Sequence, residues 1–209
     1  MKTKGLIICG YPGVGKSSIA GWNNCIDLES SWFSCDKDGN RVYPDEEWVL
    51  KYCTLAINLA SQGYTVLLST HQVVINQLRD WKWFLDRERV KVVIFVPRSD
   101  MKKAWVERLV NRYLDSDKDV DLRAFVGGIQ YWDSKMVTIR HTDFPVYCPN
   151  SINYDFRDHV LKIREKEGIM VDETSTKTDS SMEPMARVEE TSVDVPVVAK
   201  DPDIPAPEP

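Results

Sequence analysis

Hydrophobic residues along the chain fall into two alternating patterns. Short unbroken apolar runs, bounded by glycine or proline, read as buried strands: residues 5–10 (GLIICG), 24–28 (NCIDL), 64–69 (YTVLLS) and 90–96 (VKVVIFV), the last stopped by Pro97. Between them lie segments with apolar residues at helical spacing. In residues 48–62, Trp48, Tyr52, Leu55 and Leu59 share one face. Pro44-Asp45-Glu46-Glu47 places acids at that helix's positive end, and Gly63 stops it. Further helices are expected over 73–79, 83–89, 119–132 and 155–166, and over a segment that Ser99 can cap and that ends near 114. A first helix is expected to open at 16–22, and residues 145–148 (PVYC) suggest a last edge strand. Strands separated by helices imply an α/β fold, a parallel sheet covered on both faces with right-handed crossovers. No internal repeat is visible.

The pattern stops near residue 168. Residues 168–209 contain no aromatic residue and are rich in Glu, Asp, Ser, Thr and Pro. Such a segment buries too little apolar area to offset the entropy of ordering it, so the expected organisation is a folded domain over 1–167 and a disordered acidic tail over 168–209. The tail reads as a solubilising extension or a partner-binding peptide.

Charge sharpens this division. The chain carries 27 basic and 32 acidic residues, of which the tail holds three and ten, so the tail is at −7 and the remainder at +2. A mildly basic domain gives no reason to expect strong nonspecific nucleic-acid binding. No apolar run approaches the ~20 residues of a membrane span. The start, MKTKGLIICGYPG, reads as a strand and not as a signal peptide, and a cytoplasmic protein is expected. The five cysteines form no C-x-x-C pair and are expected to be reduced thiols, without a zinc site.

Candidate chemistry begins at residues 10–17, GYPGVGKS, which fit G-x-x-x-x-G-K-[ST] directly after a strand. Gly10, Gly13 and Gly15 let the backbone approach phosphate oxygens without an intervening Cβ, and the N–H groups through Val14 and Gly15 can then cradle them. Lys16 supplies a cation to the β- and γ-phosphates, the Ser17 hydroxyl can ligate the bridging Mg2+, and Ser18 can donate to the α-phosphate. The pattern predicts binding of a nucleoside triphosphate, with ATP and Mg2+ as cofactors. No N-K-x-D motif of timer GTPases is present, and neither late strand ends in the Asp-Glu of motor ATPases. These absences favour a small phosphotransferase.

With GYPGVGKS, IDLESSWF, the strand end STH and VPRSDMKKAWVERLVNRY, residues 1–166 resemble the small P-loop kinases: nucleoside-monophosphate, shikimate and gluconate kinases, and most of all the nucleotide-kinase-like proteins of bacteriophage genomes. The resemblance implies a P-loop NTPase fold, a five-stranded parallel sheet of order 2-3-1-4-5. It also implies an acceptor-binding insertion at about 30–62, a mobile lid at about 98–132, and, for a phage-encoded protein, location in the host cytoplasm. By the same resemblance Asp27, at the end of the second strand, orients or deprotonates the acceptor or holds magnesium through water. Arg108 and Arg112, four apart on one helix face beside a buried stripe of Val106, Val110 and Tyr113, stabilise the transferring group. The loop near Pro149-Asn150-Ser151 holds the adenine.

Glu29 can share the role of Asp27. Trp32 and Phe33 can stack on a base or form a small satellite core. Arg41 can meet an acceptor phosphate, and His71 can contact acceptor or phosphate or bond loop backbone. Arg98 is a weaker lid candidate, and Gly127-Gly128 a hinge or helix stop. Asp36-x-Asp38-x-Asn40 is not a calcium loop, because Arg41 stands where that loop needs glycine. The expected acceptor is a small molecule, a (deoxy)nucleoside monophosphate. Two alternatives remain open. A nucleic-acid end or modified base could be the acceptor, met by Arg41, Arg79, Lys82, Arg87 and Arg89 with Trp81 and Trp83. The chain could instead be a nucleotide-binding module without turnover that engages a partner through its tail. The oligomeric state is left open.

Overall fold

A computed structural model describes residues 3–36, 38, 40, 45–116 and 119–169. Arg41 and all but the first two residues of the expected tail lie outside them.

Five parallel strands form one sheet in the order β2-β3-β1-β4-β5. They are β1 (Gly5–Gly10), β2 (Cys25–Asp27), β3 (Thr65–Ser69), β4 (Val90–Phe95) and β5 (Val146–Tyr147). Residues of β1 are buried from end to end because both of its faces and both of its edges are covered. The helices are α1 (Ser31–Ser34), α2 (Asp45–Ser61), α3 (Gln72–Asp80), α4 (Lys82–Glu88), α5 (Lys102–Ser116), α6 (Asp119–Gln130), α7 (Trp132–Arg140) and α8 (Phe156–Lys166). α2 lies against the sheet so closely that a Cβ on Gly5 would fall 1.8 Å from the Ala60 carbonyl oxygen. α8 packs on the opposite face, where Phe156 meets Phe95 edge-on at 4.9 Å and Arg164 reaches Thr65. The result is the three-layer P-loop NTPase fold, with the expected strand order. No helix among the described residues is long and apolar enough to cross a membrane.

The structure departs from the sequence pattern in four places. The helix expected at 16–22 is a single 3-10 turn, Lys16–Ser18. Gly21 follows at φ +79°, and Asn23 and Asn24 are left-handed at +45° and +59°, so the chain reverses and enters β2 at once. α8 roofs this reversal instead: Arg164, only 4% exposed, donates to the Thr65 hydroxyl at 2.9 Å and the Asn23 carbonyl at 2.6 Å, and approaches Cys25 Sγ at 3.4 Å. Ser99 lies one turn earlier than the start of α5: it opens a 3-10 turn, Ser99–Met101, whose N-cap is Arg98 and which leads into the helix. The expected helix 119–132 ends at Gln130, and a separate α7 follows. Gly127 and Gly128 lie inside α6 and so do not stop it. Gly128 is there for close approach, since a Cβ on it would sit 2.7 Å from a Leu109 methyl.

Candidate phosphate-binding site

The site forms where β1 ends, at the carboxyl edge of the sheet. Gly13 and Gly15 adopt φ +83° and +99°, a region open to glycine without strain. A Cβ on Gly10 would meet the Val14 and Lys16 side chains at 2.9 and 3.0 Å. Within this turn Val14 N–H donates to the Tyr11 carbonyl and Ser18 N–H to Gly15. The N–H groups of Gly13, Gly15, Lys16 and Ser17 make no hydrogen bond among the described residues. Backbone donors left unpaired in a tight loop are what an anion site requires. Ser18 Oγ is engaged with the Gly15 carbonyl at 2.7 Å.

Lys16 Nζ donates to the Gly10 carbonyl at 3.0 Å. Burial lowers its pKa below the ordinary lysine value; Asp27 and Glu29 oppose the shift, and Arg112 adds to it. Asp27, at the end of β2, accepts the Ser17 hydroxyl on Oδ2 at 3.0 Å, while its Oδ1 is buried with no hydrogen-bond partner. Burial raises the Asp27 pKa despite Lys16, the Ser17 hydrogen bond and Arg112, each of which pulls it down. An orphaned carboxylate oxygen beside a hydroxyl is a hard-donor pair that fits Mg2+ held largely by water and phosphate. Ser17 and Asp27 would hold it. Among the described residues no group of three or more His, Cys, Asp or Glu is placed to hold a metal ion by itself.

The other sequence candidates separate. Arg112 lies near enough to Lys16 and Asp27 to shift both. Arg108 donates to the Ile152 carbonyl at 2.9 Å with its guanidinium over the Trp105 and Tyr154 rings. An open cleft of about 870 Å³ lies between α5 and residues 152–154, with both Arg108 and Arg112 in its wall. The buried residues of α5 are Trp105 and Leu109; Val106, Val110 and Tyr113 are only half-buried, because α5 packs over the phosphate loop through its Trp105–Leu109 face. On the acceptor side Phe33 packs edge-on against Tyr52, whereas Trp32 is 70% exposed. Glu29 is half-buried beside Lys16. His71 is exposed at the start of α3, edge-on to Trp48. Thr70, next to it, has a buried hydroxyl without a hydrogen-bond partner. Arg98 is paired with Asp100 at 2.6 Å.

Three aromatic side chains that the pattern does not single out hold the loop backbone. Tyr11 OH donates to the Gly128 carbonyl at 2.6 Å, Trp105 Nε1 to Pro12 at 2.9 Å, and Tyr154 OH to Val14 at 2.8 Å. The loop is thus tied to α5, to α6 and to the segment before α8.

The sheet order and the glycine loop define a protein of the P-loop NTPase fold. No protein-family model matches the chain, and no curated protein matches it. Among solved structures it is similar to a chain of the Pnkp1/Rnl/Hen1 RNA repair complex, at 17% identity and a TM-score of 0.44, over 74% of this chain and 52% of that one. The present chain therefore spans about half that relative's length. It is also similar to shikimate kinase from Bacteroides thetaiotaomicron, at 14% identity and a TM-score of 0.42, over 77% of this chain and 96% of that one. Polyphosphate kinase 2 from Arthrobacter aurescens TC1 matches at 13% identity and a TM-score of 0.39, over 76% and 75%.

Proposed function

We propose that the protein is an ATP-dependent phosphotransferase acting on a small acceptor, a (deoxy)nucleoside monophosphate. The observation that carries the reading is the Lys16–Ser17–Asp27 arrangement. It joins a cation on the loop to a hydroxyl–carboxylate pair at 3.0 Å, and the second carboxylate oxygen is buried and unpaired. Loop N–H groups and Lys16 hold the donor phosphates and neutralise charge as it shifts to the leaving oxygen. Asp27, at the carboxyl end of β2, orients the acceptor or takes its proton. Arg112 stands by the same carboxylate as a second source of positive charge. Mg2+, held by Ser17 and Asp27, would screen the phosphate oxygens from the attacking group. The cleft lined by Arg108 and Arg112 suits the donor nucleotide, with Arg112 the one whose charge also reaches Lys16 and Asp27. Trp32 offers an open aromatic face near the acceptor, and that face, with the family resemblance, is the reason for preferring a nucleotide.

The nucleic-acid alternative draws little support from placement. α3 and α4 carry Arg79, Lys82 and Arg87 away from the loop, and Arg89 precedes the far end of β4, about 20 Å along the strand from its carboxyl edge. Arg79 and Arg87 are also paired with Asp80 and Glu88.

The test is a transfer screen with ATP and Mg2+ against nucleoside monophosphates, nucleosides and short oligonucleotides. Product on a monophosphate, lost in Lys16→Ala, is the expected result. Transfer to oligonucleotides alone, or to no acceptor, overturns the reading.

A further inference from the structure

Among the described residues Lys135, on α7, makes no ion pair with a carboxylate. Its ammonium lies 5.6 Å from the centroid of the Tyr11 ring, and Tyr11 is the second residue of the phosphate loop. The position is built rather than accidental. Trp132, one turn earlier on α7, is buried and packs edge-on against the same ring at 5.4 Å, and the Tyr11 hydroxyl is fixed to Gly128. This fixes the first turn of α7 against the loop, and the i, i+3 spacing from Trp132 brings Lys135 over it. The nearest acid in sequence, Asp133, pairs with Lys102 at 2.8 Å. Lys135 is half-buried and makes no ion pair among the described residues. Burial lowers its pKa, and the charge of Lys16 lowers it further. A half-buried ammonium costs free energy unless an anion meets it.

We propose that Lys135 is a second phosphate-binding cation of the site, supplied by α7 and facing the polyphosphate of the donor together with Lys16. The inference rests on the proposed nucleotide-binding reading of the loop, and it adds a residue outside the glycine motif and outside the α5 arginines. The anion it fits is a chain of phosphates, because two cations on different elements, one in the loop and one above Tyr11, can each meet a separate phosphate.

The test is calorimetric binding of inorganic tripolyphosphate, ATP and adenosine to the full chain, as wild type, Lys135→Met, Lys135→Arg and Lys16→Met. Loss of a charge-assisted contact predicts about 10- to 100-fold weaker tripolyphosphate and ATP binding in Lys135→Met, with adenosine affinity unchanged and Lys135→Arg restoring most of the loss. A merely structural lysine would lower adenosine and tripolyphosphate binding alike and would not respond to the charge of the replacement. Equal tripolyphosphate affinity in wild type and Lys135→Met overturns the proposal, as does a wild type that binds no tripolyphosphate. Unfolding of Lys135→Met is checked by circular dichroism, and the Arg variant then decides: an arginine variant that is folded but tenfold or more weaker for tripolyphosphate than wild type counts against the proposal. Phosphate transfer is measured separately. A wild type that binds tripolyphosphate through Lys135 but transfers to no acceptor leaves this inference standing and removes the kinase reading.

Discussion

Asp27 is held in a conflict that makes it useful. Its folded pKa lies above the usual 3.8, with burial as the main cause, so the folded state binds a proton more readily than the unfolded chain. Stability contributed by the protonated form is therefore lost as pH rises from about 3.8 through the raised value. Asp27→Asn is expected to raise Tm at neutral pH, with the gain disappearing below pH ~4, while transfer falls about 10²- to 10⁴-fold. Thermal melts at the two pH values and a rate assay check both halves; a Tm that does not change at neutral pH contradicts the stored cost. Lys16 is shifted the other way, below the ordinary lysine value, again by burial. If ionised Asp27 and charged Lys16 are both needed, kcat/KM against pH is a bell narrowed from both sides, with its acid limb above the usual carboxylate range and its alkaline limb below the usual lysine range. A flat profile through both ranges would rule out that pair of roles.

Among the elements, those whose pattern states which faces are hidden were legible. The Trp48 and Tyr52 spacing marks α2 because it reports one hidden face, and the unbroken run at 90–96 marks β4 because it reports two. The first helix was misread because GKSSIAGW has helical residues at its start. The stop signal, Gly21 and then Asn23-Asn24, comes only a few positions later and outweighs it. α7 was legible in principle, since Trp132, Met136 and Ile139 lie at i, i+4 and i+7 and all three are buried. In the site, the glycine loop was readable because its chemistry is contiguous. The roles of Trp105, Tyr154 and Lys135 were not, because a loop-binding aromatic and a core aromatic look alike until distant segments meet. Tyr154→Phe isolates one such contact. Leaving the Val14 carbonyl without its donor is expected to lower stability by about 1–2 kcal/mol and Tm by a few degrees. ATP affinity is expected to fall with it, and differential scanning calorimetry with ATP titration measures the two together. Unchanged ATP affinity in a destabilised variant would mean that the tie is structural only.

Across the whole molecule, α8 performs the covering that a helix after the loop was expected to supply. Arg164 is its fastening, with three atoms of the β2–β3 edge around one buried guanidinium. Arg164→Leu is expected to cost about 2–4 kcal/mol, because the Asn23 carbonyl and Thr65 hydroxyl lose a charged donor. Arg164→Lys should recover little, since one ammonium cannot span the same partners in a planar fork. Urea unfolding of the three proteins decides this; recovery by lysine would show that charge, and not the fork, is what matters.

The ties on the phosphate loop have a consequence in time. They run from Pro12 to Trp105, from Tyr11 to Gly128 and from Val14 to Tyr154, separations of 93, 117 and 140 residues. A ribosome making this chain releases the glycine motif 93 to 140 residues before the groups that fix it. Over that stretch of synthesis the nascent domain carries the motif but not its fastenings, so a loop held in its folded geometry reports that the later segments have arrived.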